Sequence, residues 1–211
     1  MKKATMFVFA IALCGSSLSA QELKSAHSNW QLFVGPAEEA PAALMKIFSN
    51  LGPAETTYTE TGYYVAGPAS ALGESQFIGL PFTPADASHA TELEAAISWN
   101  SLGANQVNLS LYSDNSGVPG TLLAGPKTVK NLPVFGTCCT LAKAAIPSTA
   151  LTAGTQYWIV ASTPATGTGD DSEDVWNAVY QVSIAGDIAG AGYAAFPANN
   201  TPAGAVYGTI P

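Results

Sequence analysis

Between Asn105 and Ala124 the chain reads NQVNLSLYSDNSGVPGTLLA. Val107, Leu109 and Leu111 alternate with Asn108, Ser110 and Tyr112, the period of two that marks a strand with one buried and one wet face. Asp114-Asn115-Ser116-Gly117 breaks the alternation with residues that bond nearby backbone or tolerate positive φ, so a turn is predicted there. Val118-Pro119-Gly120 closes the turn, and Thr121-Leu122-Leu123 opens a second strand that Lys127–Leu132 continues. A similar stretch, Leu151-Thr-Ala-Gly-Thr-Gln-Tyr-Trp-Ile-Val-Ala161, follows, and Thr155–Ser162 (TQYWIVAS) reads as a central strand.

The rest of the chain repeats this punctuation. Residues 21–44 read as an N-terminal extension: Trp30, Leu32, Phe33 and Val34 suggest a short strand, and Ala42–Phe48 either a helical turn or the lead-in to a strand. Thr56–Val65 has the Thr and Tyr content of a strand. Ser75–Phe82 is another, and Pro81 places its end at an edge or bulge. Glu92–Trp99 alternates as one strand, stopped by Asn100-Ser-Leu-Gly103. Cys139–Ile146 is followed by a turn at Pro147-Ser-Thr-Ala150, and a loop is expected over Thr163–Asp174. Val175–Ile184, Gly192–Pro197 and Ala205–Ile210 finish the series. Nine or ten short strands separated by turn signals, without βαβ alternation, predict an all-β antiparallel sandwich or barrel.

Composition adds the compartment. Lys2 and Lys3, the apolar stretch Met6–Leu13 and the small-residue end Leu18-Ser19-Ala20 have the form of a secretory signal peptide over residues 1–20. Cleavage after Ala20 leaves 191 of the 211 residues, beginning at Gln21, with the sandwich domain over 45–211. Cys14 offers a lipoprotein alternative, against which Leu13 is larger than the residue that normally precedes such a cysteine. The apolar stretch is shorter than the roughly 20 residues that span a bilayer, and no transmembrane segment is expected in the mature chain.

The sequence contains no arginine; residues 21–211 carry five lysines against 15 acidic residues, a net charge of −10. Such a surface repels phosphate backbones and anionic membranes, so nucleic acid is not an expected partner. Cys138 and Cys139 are the cysteines that remain after cleavage. In an oxidising compartment they would close a vicinal disulfide or form two intermolecular bonds. A metal site needs more ligands than one adjacent pair supplies, and a redox switch ranks below a structural bond.

Several motifs run in a familiar order. They are Phe48-Ser-Asn-Leu-Gly-Pro53, Gly62-Tyr63, Phe82-Thr83-Pro84, Leu109-Ser-Leu-Tyr-Ser-Asp114, Gly117-Val-Pro-Gly120, Leu151-Thr-Ala-Gly-Thr-Gln-Tyr-Trp158 and Ala205-Val-Tyr-Gly208. This order resembles the choice-of-anchor type domains of secreted bacterial proteins over roughly residues 45–211. The resemblance implies a jelly-roll-like β-sandwich at or outside the cell surface and carries no reaction or catalytic residues. Relatives often bear a C-terminal PEP-CTERM sorting tail; this sequence reaches Pro211 without that motif.

The candidate chemistry is sparse. Asp86, Ser88 and His89 lie too close in sequence to be read as a nucleophilic triad, which is defined by geometry; a polar loop accounts for them. His27 lies in the extension. Glu92 and Glu94, two apart on a strand, have a spacing that glycosidase carboxyls permit, but a solvated strand face explains both without any chemistry and is the favoured reading. Asp170, Asp171, Glu173 and Asp174 put four carboxylates in five residues. Ca²⁺, which takes six to eight hard oxygens, is the cofactor such a loop would hold; a solvated hairpin tip is the favoured reading. Trp99, Trp158 and Trp176 fall in predicted strands and would form a sugar-stacking face if exposed together, although core packing is the commoner fate of strand tryptophans.

The expectation that results is a secreted, non-enzymatic domain of the surface or matrix with a structural or adhesive role. Its partners would be extracellular polysaccharide or surface proteins. A Ca²⁺-assisted carbohydrate-binding module is the first alternative and a secreted hydrolase the second.

Overall fold

The computed structural model describes residues 43–52, 54, 58–59, 61–137, 140–164, 170–179, 184–188, 192–196 and 201–211. The expected signal peptide, nearly all of the expected extension and both Cys138 and Cys139 lie outside these residues. Ala42–Pro211 form one compact unit. Its strands are β1 (Met45–Ser49), β2 (Gly62–Ala66), β3 (Gln76–Phe82), β4 (Ser88–Ala95), β5 (Ile97–Leu102), β6 (Gln106–Asp114), β7 (Pro119–Lys130) and β8 (Ala142–Leu151). They continue with β9 (Tyr157–Ser162), β10 (Glu173–Val179), β11 (Ile184–Ile188), β12 (Ala194–Phe196), β13 (Thr201–Pro202) and β14 (Gly204–Thr209). Among the described residues there is no helix, and so none long and apolar enough to cross a membrane.

The strands form an antiparallel β-sandwich. One sheet has the order β1-β14-β4-β8; the ten-stranded sheet follows β13-β10-β2-β3-β9-β6-β7, with β5 paired to β10, β11 to β3 and β12 to β11. The main core fills the space between the sheets. The smaller sheet contributes Ala90, Leu93, Ala95, Ala142, Ala144 and Ile146, and the larger one Ile78, Leu80, Leu109, Leu111, Ile159 and Trp176. The smaller sheet's share of this core is the richer in alanine and the larger sheet's the richer in Ile, Leu and aromatic side chains, a mixture of sizes that close packing can fill. The alternation seen in sequence is realised in β6, where Val107, Leu109 and Leu111 are all fully buried. The predicted central strand is β9, flanked by β3 and β6. Both of its faces are covered: Tyr157, Ile159 and Ala161 join the main core, while Trp158 and Val160 pack with Tyr112, Val118 and Tyr193 on the other side.

Three expectations about single segments are corrected. Glu92–Trp99 is not one strand: the chain passes from the small sheet to the large one at Ala96, between β4 and β5. A second passage lies beside it, at Ala203 between β13 and β14. Ala96 N–H donates to the Ala203 carbonyl at 2.9 Å, Ala203 N–H to Asn177 O at 2.8 Å and Asn177 N–H to Ala96 O at 2.8 Å. Strands that change sheets make the corners of a sandwich, and these two corners are hydrogen-bonded to each other. An alternating pattern cannot reveal such a switch, because the apolar positions before and after it face the same core. Pro147–Ala150 is not a turn but part of β8. The register jumps there, from Ala90 opposite Thr149 to Glu92 opposite Ala145, so a bulge on an edge strand accommodates the proline. Val175–Ile184 divides between β10 and β11. Pro81 fits its expectation of an edge: on that side of β3 the β11 ladder reaches only Gln76–Gly79.

Candidate functional site

The acidic run from Asp170 to Asp174 enters β10 at Glu173. On one side β2 pairs with it, Ala66 opposite Glu173 and Val65 opposite Asp174. The ladder continues past the strand: Gly67 N–H donates to Ser172 O and Ala69 N–H to Asp170 O, both at 2.9 Å. On the other side Leu102 lies opposite Glu173 and Trp99 opposite Asp174. Two glycines permit this close approach. A Cβ on Gly67 would overlap the Asp170 carbonyl, and one on Gly103, whose φ is +62°, would overlap the Asp171 carbonyl. Gly103→Ala therefore combines backbone strain with a main-chain clash. It should destabilise the fold by about 1–3 kcal/mol, read as a lower midpoint in urea denaturation.

The favoured reading of a solvated tip does not hold for this run. Asp170 is 3% exposed, Glu173 2%, and Ser172 and Asp174 0%; Asp171 alone of the four acids faces solvent. The alternation of an extended ladder separates them into two sets. Asp171 and Glu173 are on one side, and their carboxylates are bonded. Glu173 Oε1 accepts from Asn100 Nδ2 at 2.7 Å and Oε2 from Ala71 N–H at 3.0 Å, while Asp171 Oδ1 accepts from Ala104 N–H at 3.1 Å. Asp170, Ser172 and Asp174 are on the other side, and they are not so supplied. Asp170 Oδ1 accepts from Ser172 N–H at 3.0 Å. Its Oδ2, the Ser172 and Ser70 hydroxyls and both oxygens of Asp174 have no hydrogen-bond partner among the described residues. Burial, and then the neighbouring Asp170 and Glu173 charges, push the Asp174 carboxyl up to about 8.

The three tryptophans do not form one platform. Trp158 is 2% exposed and Trp176 0%, and their clusters put them on opposite faces of the ten-stranded sheet. Each indole N–H is bonded internally: Trp176 to Ala203 O at 2.8 Å, Trp99 to Leu102 O at 2.9 Å and Trp158 to Asp114 Oδ1 at 2.8 Å. Trp99, half-buried, packs against the main core. The expectation of a stacking face is corrected accordingly, because tight interior packing takes up both faces of two of the rings.

Trp158 has a role that sequence reasoning missed. Asp114 Oδ1 also accepts from Gln156 Nε2 at 2.8 Å, and the carboxylate accepts from Gly117 N–H at 3.2 Å. Burial pushes the Asp114 carboxyl up, but the hydrogen bonds from Trp158, Gly117, Gln156 and Ser116 outweigh it and hold the group below its ordinary value. The β6–β7 turn is thereby tied to β9. The Asp-Asn-Ser-Gly turn was visible in sequence; its partners, more than 40 residues away, carried no local signal.

The hydrolytic candidates are likewise dispersed. Ser88 is buried and His89 exposed, as adjacent strand residues must be when one face is interior, and Asp86 is exposed in the preceding loop. Glu92 and Glu94 do share a face of β4, but Glu94 is 1% exposed and forms an ion pair with Lys143 from β8. Neither a family model nor a curated protein matches this sequence.

Proposed function

We propose that this chain is exported and works outside the cell, at the surface or in the matrix, as a non-enzymatic β-sandwich domain with a structural or adhesive role. One observation carries the reading: the side chains that sequence nominates for sugar stacking or hydrolysis are engaged by the fold itself. Trp158 and Trp176 are packed and hydrogen-bonded inside it, Glu94 is paired with Lys143, and Ser88 and His89 point to opposite sides of β4. The basic, apolar and small-residue order of residues 1–20 and the acidic, arginine-free remainder support export. The motif order shared with choice-of-anchor type domains points the same way.

The test is expression of the full chain in a secretion-competent bacterium. Mass spectrometry of the exported protein should find Gln21 at the N-terminus, and deletion of residues 1–20 should keep the protein in the cytoplasm. Beads coated with the exported protein should then retain bacterial surface polymers without releasing cleavage products. An intact Met1 on the mature protein would sink the export reading, and sugar or peptide fragments released at a catalytic rate would sink the non-enzymatic one.

A further inference from the structure

The two sides of the acidic run differ in a way that calls for a ligand. Glu173 and Asp171 receive hydrogen bonds from Ala71, Asn100 and Ala104. Asp174, with no exposed surface, receives none among the described residues. A buried carboxylate with no donor is costly unless it is neutralised by a proton or a cation. It has company on its own side: the free oxygen of Asp170 and the hydroxyl of Ser172, both buried and both unpartnered among the described residues. The facing residues, Val65 of β2 and Trp99 of β5, supply no cationic group to pair with it.

We propose that Asp170, Ser172 and Asp174 bind a hard divalent cation, Ca²⁺, at the end of the sandwich where β10 begins. This inference goes beyond the role proposed above and does not depend on it. The donors are all oxygen, which suits Ca²⁺ and not the softer metals that prefer nitrogen or sulfur. Among the described residues no group of three or more Asp, Glu, His or Cys side chains gathers around a metal-sized space. Two carboxylates and a hydroxyl would therefore be completed by main-chain carbonyls and water, a mixture that the flexible coordination of Ca²⁺ accepts and the strict octahedron of Mg²⁺ resists. Bound there, the ion would join the ladder extension at Asp170–Ser172 to the first residues of β10. It would stabilise the sandwich at the end where the chain enters the strand.

The purified full chain, stripped with chelator, should be titrated with CaCl₂ by calorimetry and thermal unfolding, with MgCl₂ as the comparison. One Ca²⁺ per chain is expected. At 100-fold excess over Kd the midpoint should rise by about 5–10 °C, and Mg²⁺ should be at least tenfold weaker. Asp174→Asn and Asp170→Asn should each lower Ca²⁺ affinity at least 100-fold. Asp171→Asn, on the opposite side, should leave it unchanged. Asp174→Asn keeps the shape of the buried side chain and cannot ionise, so it should remain folded in chelator, and circular dichroism checks this before the titration. No heat and no midpoint shift in the wild-type protein would overturn the proposal, as would Ca²⁺ binding that survives both substitutions or is lost with Asp171→Asn.

Discussion

Trp176→Ala should lower stability by about 3–5 kcal/mol, the range for deleting a large aromatic from a packed core. Trp176 is fully buried, faces Tyr63 of β2 and Ile97 of β5 across the ladder, and belongs to the main core. Its indole also donates to the Ala203 carbonyl, at the point where the chain passes from β13 to β14. The substitution therefore removes core volume and the side-chain tie from β10 to the Ala203 corner. Trp176→Phe separates these contributions. The Ala203 carbonyl keeps the hydrogen bond from Ala96 N–H, so no buried acceptor is stranded, and the loss should be smaller, about 1–2 kcal/mol. Urea denaturation reads both through the midpoint, with the slope m unchanged if the unfolded state is unaffected. Equal losses for the two variants would mean that the hydrogen bond, and not the packed ring, holds the corner.

The second large effect is a pH dependence of the protein in chelator. The Asp174 carboxyl is pushed up from 3.8 to about 8 by burial, then by Asp170 and Glu173. Among the groups packed around it, β2 adds the ionisable Tyr63 and Tyr64, and β5 (Ile97–Leu102) adds none. In this case the folded chain holds the proton more tightly than the unfolded chain. Below about pH 4 both states are protonated at this residue and it has no effect. Between pH 4 and 8 only the unfolded state releases the proton, so stability falls as pH rises, at roughly 1.4 kcal/mol per pH unit. Above pH 8 both states are ionised and the loss is complete. Asp114 acts in the opposite sense, since its lowered carboxyl stabilises the fold above its unfolded value and loses that contribution as acid protonates it. The readout is therefore the difference between wild type and Asp174→Asn across pH 4–8. Wild type should lose several kcal/mol relative to the variant over that range. Parallel curves would show that Asp174 ionises freely in the folded protein.

The class of fold was legible in the sequence because alternation is a local consequence of the pleat: Val107, Leu109 and Leu111, and then Tyr157, Ile159 and Ala161, declared their buried faces with no knowledge of a partner strand. The Asp114–Gly117 turn was legible for the same reason, since its residues act on their own backbone. The sheet to which a strand belongs is not a local property. Ala96 and Ala203 lie within or beside ordinary strand-like stretches, and only the neighbouring sheets show that the chain changes layer at both. Burial of charge is equally non-local. Asp170 to Asp174 read as a solvated tip because carboxylates prefer water, and nothing nearby in sequence announces that β2 and β5 enclose them. Trp158 and Trp176 could have served a ligand or the core; packing on opposite faces of one sheet assigned both to the fold. Local chemistry set where strands and turns form, and long-range packing set which polar groups lost their water.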